Sequence, residues 1–435
     1  MKFKIYTLGC KVNQYESEYI RQIMVLKGHT YTDKDIESDI FIVNSCSVTA
    51  VSDSKCRKLL RRLKRLRPDS VLLLCGCMSQ AFPRKYENFD VCDIVIGNTT
   101  RSRIPEYIDD FVVKKERIID ITEHDRKNEV FEDYTVCDFS ERTRAFLKIE
   151  DGCDRFCTYC IIPYARGRVR SKSLETLRVE VDALANSGYE EIVLVGINLS
   201  KYGTDIGLSL CDAVECVAQN PGISRIRLGS LEPELLDEEA ISRLSKCEKF
   251  CPQFHLSLQS GCTETLKRMN RRYTNTEYSH IVDRIRRNFY NSSITTDVMV
   301  GFPGETEEEF NESLDFVTGI GFAKVHVFPY SRRSGTVADR MPDQVSKSVK
   351  EARAAKMISA TEEKRKEFLL SQVGETSEVL FERLDKNGMY EGYTRNYTLV
   401  SVPFDGAELQ GKSYRVRLTG IAEDHCLGVI VDNLE

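Results

Sequence analysis

No stretch of these 435 residues is apolar for long enough to cross a membrane, so no membrane role is expected. The opening run Met-Lys-Phe-Lys-Ile-Tyr-Thr-Leu-Gly-Cys lacks an apolar signal core and a small-residue cleavage site. A cytoplasmic location is therefore the expectation. Internal repeats and low-complexity tracts are missing too, which excludes a repeat architecture. Nor is there a strong excess of one charge. A net charge of -5 offers nucleic acid no general attraction, so any RNA contact must come from local patches. One such patch exists, Lys55 to Arg67, with eight basic residues and no acidic one.

What the chain has in quantity is cysteine, sixteen in all. A chain of this length supports two or three cored domains and has no need of a disulfide framework, which a reducing compartment would disfavour. Metal ligation or thiol chemistry is the expected use.

The first hundred residues alternate strand-like and helix-like patterns. Phe3 to Leu8, Ile40 to Asn44, Val71 to Leu74 and Asp93 to Ile96 read as strands, with helical stretches near Gln14 to Lys27 and Val51 to Leu66. That order predicts an α/β domain with a parallel sheet, spanning 1–110. Ligands of such sheets bind beyond the carboxyl ends of strands. Cys10, Cys46 and Cys77 each follow such an end and are expected to converge, although isolated cysteines are also common as small buried hydrophobes. Residues 111–140 read as a connection. Six further strand-helix units in 141–370 predict a partial (β/α)6 barrel with its site on the C-terminal face. The long helix expected over Ser346 to Leu370 leads into short alternating strands over 371–435, read as a small β-barrel.

The most specific local signal is Cys153-x3-Cys157-x2-Cys160, directly after a predicted strand. Three thiolates on one loop can ligate three irons of a cubane and leave the fourth open to a small molecule. Spacing alone leaves a structural zinc site open. The loop resembles the signature of the radical S-adenosylmethionine (SAM) superfamily. That resemblance implies a 4Fe-4S cluster whose open iron holds SAM, and reductive cleavage to a 5′-deoxyadenosyl radical. It also implies a SAM pocket from Gly196 and Asn198, Ser230 and Glu232, and Gln259, each of which could instead be a turn or cap residue. Ile197 stands where relatives often have glutamine.

Thr7-Leu8-Gly9-Cys10-Lys11-Val12-Asn13-Gln14, Asn44-Ser45-Cys46-Ser47-Val48-Thr49 and Gly76-Cys77-Met78-Ser79-Gln80 resemble the N-terminal domain of methylthiotransferases. By that resemblance Cys10, Cys46 and Cys77 carry an auxiliary 4Fe-4S cluster. The Cys-Lys-Val-Asn-Gln-Tyr-Glu-Ser string is most similar to the branch acting on N6-threonylcarbamoyladenosine next to the tRNA anticodon. Sister branches act on isopentenyladenosine in tRNA or on an aspartate of a ribosomal protein. The implied reaction is radical insertion of a methylthio group at carbon 2 of the adenine, and the implied partners are the tRNA anticodon stem-loop, an external electron donor and a sulfur source. A non-catalytic iron-sulfur RNA-binding protein is the alternative of another class.

The C-terminal segment resembles a TRAM domain, an RNA-binding module. Tyr393, Arg395 and Asn396 match its recognition segment and are expected to stack on bases or meet phosphate, the alternative being a hairpin whose tyrosines pack. From Gln372 onward six Lys/Arg face eleven Asp/Glu, so bulk attraction cannot carry that binding. The basic helix of the first domain is expected to help. There Leu59, Leu60, Leu63 and Leu66 would face the core, and Arg57, Lys58, Arg61, Lys64, Arg65 and Arg67 the surface.

Overall fold

The computed structural model describes residues 1–83, 89–124, 129–137, 139 and 143–433. The N-terminal sheet is six-stranded and wholly parallel. Its spatial order is Thr30–Tyr31, Lys2–Thr7, Ile40–Ser45, Val71–Gly76, Ile94–Ile96 and Ile118–Asp120. Strands Ile40–Ser45, Val71–Gly76 and Ile94–Ile96 are buried on both sides, one face packing Phe3, Ile40, Ile42 and Leu73 and the other Phe41, Val43, Leu72 and Leu74. Continuous apolar runs of this kind are what a two-sided parallel sheet requires. The edge strand Ile118–Asp120 carries the sheet past the expected boundary at residue 110. Three residues are too short a run for an alternation to be read from sequence.

The order reverses between Lys2–Thr7 and Ile40–Ser45, where successive connections leave toward opposite sides. A crevice opens at such a switch point, outside the carboxyl ends of the strands. Cys10, Cys46 and Cys77 follow the three neighbouring strands at that crevice.

All six expected barrel strands are present. Arg144–Lys148, Glu191–Val195 and Arg225–Leu228 form one parallel sheet, while Gln253–Leu256, Ser293–Val300 and Lys324–Pro329 belong to a second. An Ile226–Phe250 bridge joins them. The strands Arg144–Lys148 and Lys324–Pro329 stand at the two outer edges, so the barrel is open on one side. Helix Lys11–Leu26 of the first domain sends Val12 and Tyr15 into the barrel's own core, beside Tyr134 and Phe139. The two units therefore share hydrophobic burial.

Helix Lys347–Ser371, capped by Ser346, leads to a closed five-stranded barrel formed by Thr376–Leu384, Met389–Thr394, Leu399–Pro403, Ser413–Ala422 and His425–Asn433. Val379, Phe381, Tyr390, Val400 and Val416 fill it. Closure removes the free edges that a small sheet would otherwise present to other chains.

Candidate active site

The first cysteine triad is built by backbone geometry. Gly9 sits at φ 108°, and a Cβ there would lie 2.6 Å from Cys46 Cβ and 2.8 Å from its Sγ. Only glycine permits both the turn and the close approach. Cys10 then caps helix Lys11–Leu26, and Cys77 opens helix Cys77–Ala81. Cys46 and Cys77 are buried, whereas Cys10 is exposed onto a cavity of about 810 Å³ that Gly196, Ser230, His255 and Asp297 also line. Burial, together with the Cys77 thiol nearby, pushes Cys46 up to about 11. Desolvation by the surrounding protein also raises Cys10, although the cavity reaches it, against the pull of Arg166.

The second triad lies on the loop between the barrel's first strand and helix Ile162–Arg166. The loop is held by Cys153 N donating to Gly167 O at 2.9 Å and Cys160 N to Cys157 O at 2.9 Å. Asn198 Nδ2 approaches Cys153 Sγ at 3.6 Å, and Arg271 Nη1 approaches Cys157 Sγ at 3.5 Å. Burial pushes Cys153 and Cys160 up to about 12. Thiols in such surroundings ionise only when a cation comes to them, which is what iron would supply. Among the described residues, no three His, Cys, Asp or Glu side chains lie close enough to share a single metal ion.

One side chain joins the triads. Arg166, fully buried, directs Nε to Cys77 Sγ at 3.1 Å and Nη2 to Asn13 Oδ1 at 2.7 Å and Glu16 Oε2 at 3.0 Å. Its other nitrogen, Nη1, reaches Asp151 at 3.3 Å, two residues before Cys153. Arg101 at 3.1 Å and Lys148 at 2.9 Å complete the ring around Glu16. Burial opposes the Glu16 charge, but Arg101, Arg166 and Lys148 outweigh it and hold the carboxyl well below the usual range. A second tie uses Arg333, which pairs with Asp53 at 2.7 Å and donates to the Ser47 hydroxyl beside Cys46. The N-terminal domain is thus fastened to the barrel next to its own cysteines.

Above the second triad, a second cavity of about 560 Å³ runs between Val48 and Thr49 of the Cys46 loop and Tyr159 beside Cys160. Asp297 borders both cavities. Residues next to Cys46 and Cys160 thus border the smaller cavity, and Cys10 itself borders the larger one.

Comparison with known proteins fits this layout. Residues 147–317 match the radical SAM superfamily, 2–97 an uncharacterized protein family, UPF0004, and 370–430 the TRAM domain. The chain is 37% identical to the threonylcarbamoyladenosine tRNA methylthiotransferase MtaB of Bacillus subtilis, over 95% of this chain and 92% of that one. It is 36% identical to the protein of the same name from Thermotoga maritima, over 99% and 98% of the two chains. The tRNA-2-methylthio-N(6)-dimethylallyladenosine synthase of Acetivibrio thermocellus is 35% identical, over 99% and 92%. The chain belongs to the radical SAM methylthiotransferase family. Among solved structures, the radical SAM methyltransferase TsrM of Kitasatospora setae shares the fold, with a TM-score of 0.58 at 12% identity over 75% of this chain and 71% of that one.

In this methylthiotransferase the residues expected to hold SAM are found in different surroundings, with Asn198 against Cys153 and Gly196 and Ser230 lining the cavity of Cys10. A Cβ on Gly196 would lie 2.5 Å from Glu150 Oε2, which accepts from Asn198 N at 2.7 Å. Asn198 Oδ1 and Glu150 Oε1 are buried without a hydrogen-bond partner, and burial pushes the Glu150 carboxyl well up. Orphaned polar atoms beside Cys153 fit a polar ligand there. Ser230 lines the larger cavity and shares a 3.1 Å hydrogen bond with Ser257. Gln259, held at φ 69°, lines the smaller one. Glu232 departs from expectation, because its carboxylate is already engaged by Arg271, with Arg155 at 4.0 Å. Its evident work is to place Arg271 against Cys157.

The segment expected to read RNA is corrected more fully. Tyr393 and Tyr397 stack at 4.5 Å, and Arg144 of the first barrel strand lies 5.1 Å from each ring. Arg395 donates to the carbonyls of Ser224, Glu248 and Phe250, and buried Asn396 to those of Asn291 and the Gln372 side chain. These side chains glue the TRAM barrel to the amino-terminal end of the larger barrel and are not displayed for RNA. Sequence cannot separate the two uses, since both want aromatic and hydrogen-bonding groups.

On helix Ala50–Leu66, Leu60 and Leu63 are buried as expected, while Leu66 is exposed. Lys64 and Arg67 pair with Asp93 at 2.8 Å and Asp39 at 3.6 Å. Lys58, Arg61 and Arg65 keep the exposed basic face. Asn13, Glu16 and Arg166 have no role assigned from sequence. The available signal was a charged residue shortly after Cys10 and another shortly after Cys160, which an apolar core tolerates only when paired.

Proposed function

We propose that this enzyme attaches a methylthio group to carbon 2 of N6-threonylcarbamoyladenosine beside the tRNA anticodon, using SAM and two 4Fe-4S clusters, one on Cys153, Cys157 and Cys160 and the other on Cys10, Cys46 and Cys77. The observation that carries the reading is the junction at Arg166, which meets Cys77 of one triad and Asp151, two residues before Cys153 of the other. Three thiolates in each set suit a cubane, where each binds a different iron. When bound, these groups supply radical chemistry and sulfur for an aromatic C-H bond that side-chain bases cannot deprotonate usefully.

The chain's own residues position and exclude. Asn198 and Glu150 present unsatisfied polar atoms beside Cys153 for SAM. The Arg271–Glu232 pair fixes the Cys157 side of the loop, and Arg166 fixes Cys77. The unit before residue 110 would carry the sulfur-donating cluster, the barrel over 141–370 the radical, and the module from 371 the RNA. The exposed Lys58, Arg61 and Arg65 face would help to hold the anticodon stem-loop. An external electron donor, a sulfur source and a cytoplasmic setting complete the proposal. No described helix is long and apolar enough to cross a membrane.

Relatives at similar identity carry names from both tRNA branches, so the substrate is the point to test. Mass spectrometry of tRNA nucleosides from a deletion strain should show loss of 2-methylthio-threonylcarbamoyladenosine. Loss of the isopentenyl product instead would transfer the enzyme to the sister branch. Anaerobic reconstitution should load about eight irons per chain and cleave SAM under a strong reductant.

A further inference from the structure

The cavity of about 560 Å³ is walled by Val48 and Tyr159 from the cluster loops, by Tyr330 after the last barrel strand, and by the start of helix Lys347–Ser371. That helix begins against the usual electrostatic preference. A helix N-terminus is partially positive and favours acidic residues in its first turn. Helix Glu307–Ile320 conforms, with Glu307, Glu308 and Glu309 there. Helix Lys347–Ser371 has no acidic residue in its first turn and brings Lys347 and Lys350 to the cavity wall instead. Positive charge is thus concentrated on positive charge, an arrangement suited to an anion.

The two lysines differ. Lys347 is exposed and relieved by Glu351 at 3.7 Å. Lys350 is half-buried. Its ammonium donates to the Tyr330 carbonyl at 3.1 Å and lies 5.5 Å from the centre of the Tyr330 ring. Burial lowers its pKa from the ordinary lysine value with no counter-charge opposing the shift. The other acid of the cavity, Asp297, is turned to His255 Nε2 at 3.2 Å. Lys350 is therefore a desolvated cation on the rim of a largely apolar and aromatic cavity, which residues next to Cys46 and Cys160 also line.

The substrate assigned above supplies the matching anion, and the inference rests on that assignment. The threonylcarbamoyl substituent ends in a free carboxylate, whereas an isopentenyl group is pure hydrocarbon. We propose that Lys350 binds the threonyl carboxylate while the apolar and aromatic wall takes the adenine, making this cavity the site that selects the anionic nucleoside. A charge-assisted hydrogen bond to a partly buried carboxylate is among the stronger single contacts, and a binding site that lacks its partner is penalised in turn.

The test titrates reconstituted wild-type enzyme, Lys350→Met and Lys350→Arg with three anticodon stem-loop RNAs, read by fluorescence anisotropy. The RNAs carry threonylcarbamoyladenosine, its neutral carboxamide analogue, or unmodified adenosine. Wild type should prefer the carboxylate over the carboxamide by about tenfold or more, the worth of one charge-assisted hydrogen bond. Lys350→Met should lose that preference, Lys350→Arg should keep it, and all three proteins should bind unmodified RNA alike, which also shows that the variants fold. An equal loss across all RNAs would assign Lys350 to a backbone phosphate and overturn the inference. A wild type that does not discriminate, or a Lys350→Met that still does, overturns it too. If wild type forms no 2-methylthio product on the carboxylate RNA, the substrate assignment itself fails. Product formation with an unaltered Lys350→Met preference removes only the role of Lys350.

Discussion

Replacing Glu16 by glutamine removes one charge and almost no volume from the joint between the two cysteine triads. Arg166, Lys148 and Arg101 then lose their shared carboxylate, all of them in surroundings closed to solvent. Breaking a buried pair costs about 3–5 kcal/mol. Here each cation keeps a second acid: Asp151 for Lys148 at 2.6 Å and for Arg166 at 3.3 Å, and Glu132 for Arg101 at 3.2 Å. The lower end, about 3 kcal/mol, is therefore expected. At a urea slope near 3 kcal/mol/M the unfolding midpoint of the joint should fall by about 1 M. The sign with pH follows from the depressed carboxyl. Its stabilisation is fully present above the ordinary value of 4.5 and fades as pH falls through the lower folded value. The gap between wild type and Glu16→Gln should thus be constant from neutrality to about 4.5, narrow below it, and be lost once the pH has passed through the lower folded value. Functionally, SAM cleavage should survive while the methylthiolated product declines, because the first triad loses its anchor to the second. An unchanged midpoint at pH 7, or a gap that persists undiminished in acid, would refute the electrostatic account.

Alanine at Cys153, Cys157 or Cys160 should abolish SAM cleavage, whereas alanine at Cys10, Cys46 or Cys77 should spare cleavage and stop methylthio transfer; chromatography of both products separates the sets. Gly9→Ala forces a Cβ to 2.8 Å from Cys46 Sγ at φ 108°, so iron analysis should show loss of the first cluster with the second retained. Changing Tyr393 and Arg395 together to alanine should cost about 1–3 kcal/mol of docking, as carbonyls of Ser224 and Phe250 lose their donor. Limited proteolysis should then release the TRAM barrel faster at the Gly374 junction, and intact docking would contradict the interface role.

Much of this layout could be read from the chain alone. Parallel strands deliver their following loops to one edge of a sheet, so Cys10, Cys46 and Cys77 had to meet once Phe3 to Leu8, Ile40 to Asn44 and Val71 to Leu74 were recognised as neighbours. The second triad is legible because its three cysteines share one loop. Apolar periodicity likewise marks the six barrel strands and the long helix before the TRAM barrel. These features are local, or follow from rules that hold for any parallel sheet.

The tertiary structure decided which charged and polar residues are spent on holding the parts together. Arg166 meets Glu16, Arg333 meets Asp53, and Arg395 meets the carbonyl of Ser224, all across long stretches of chain. A buried, paired arginine and a solvated one look the same in sequence, since only distance to a partner separates them. The same reason moved Tyr393, Arg395 and Asn396 from an RNA surface to a domain joint, and brought out Lys350 as the cavity cation without an ion pair among the described residues. Cysteine spacing fixed what kind of chemistry this protein carries; packing fixed where its two halves are held and what they face.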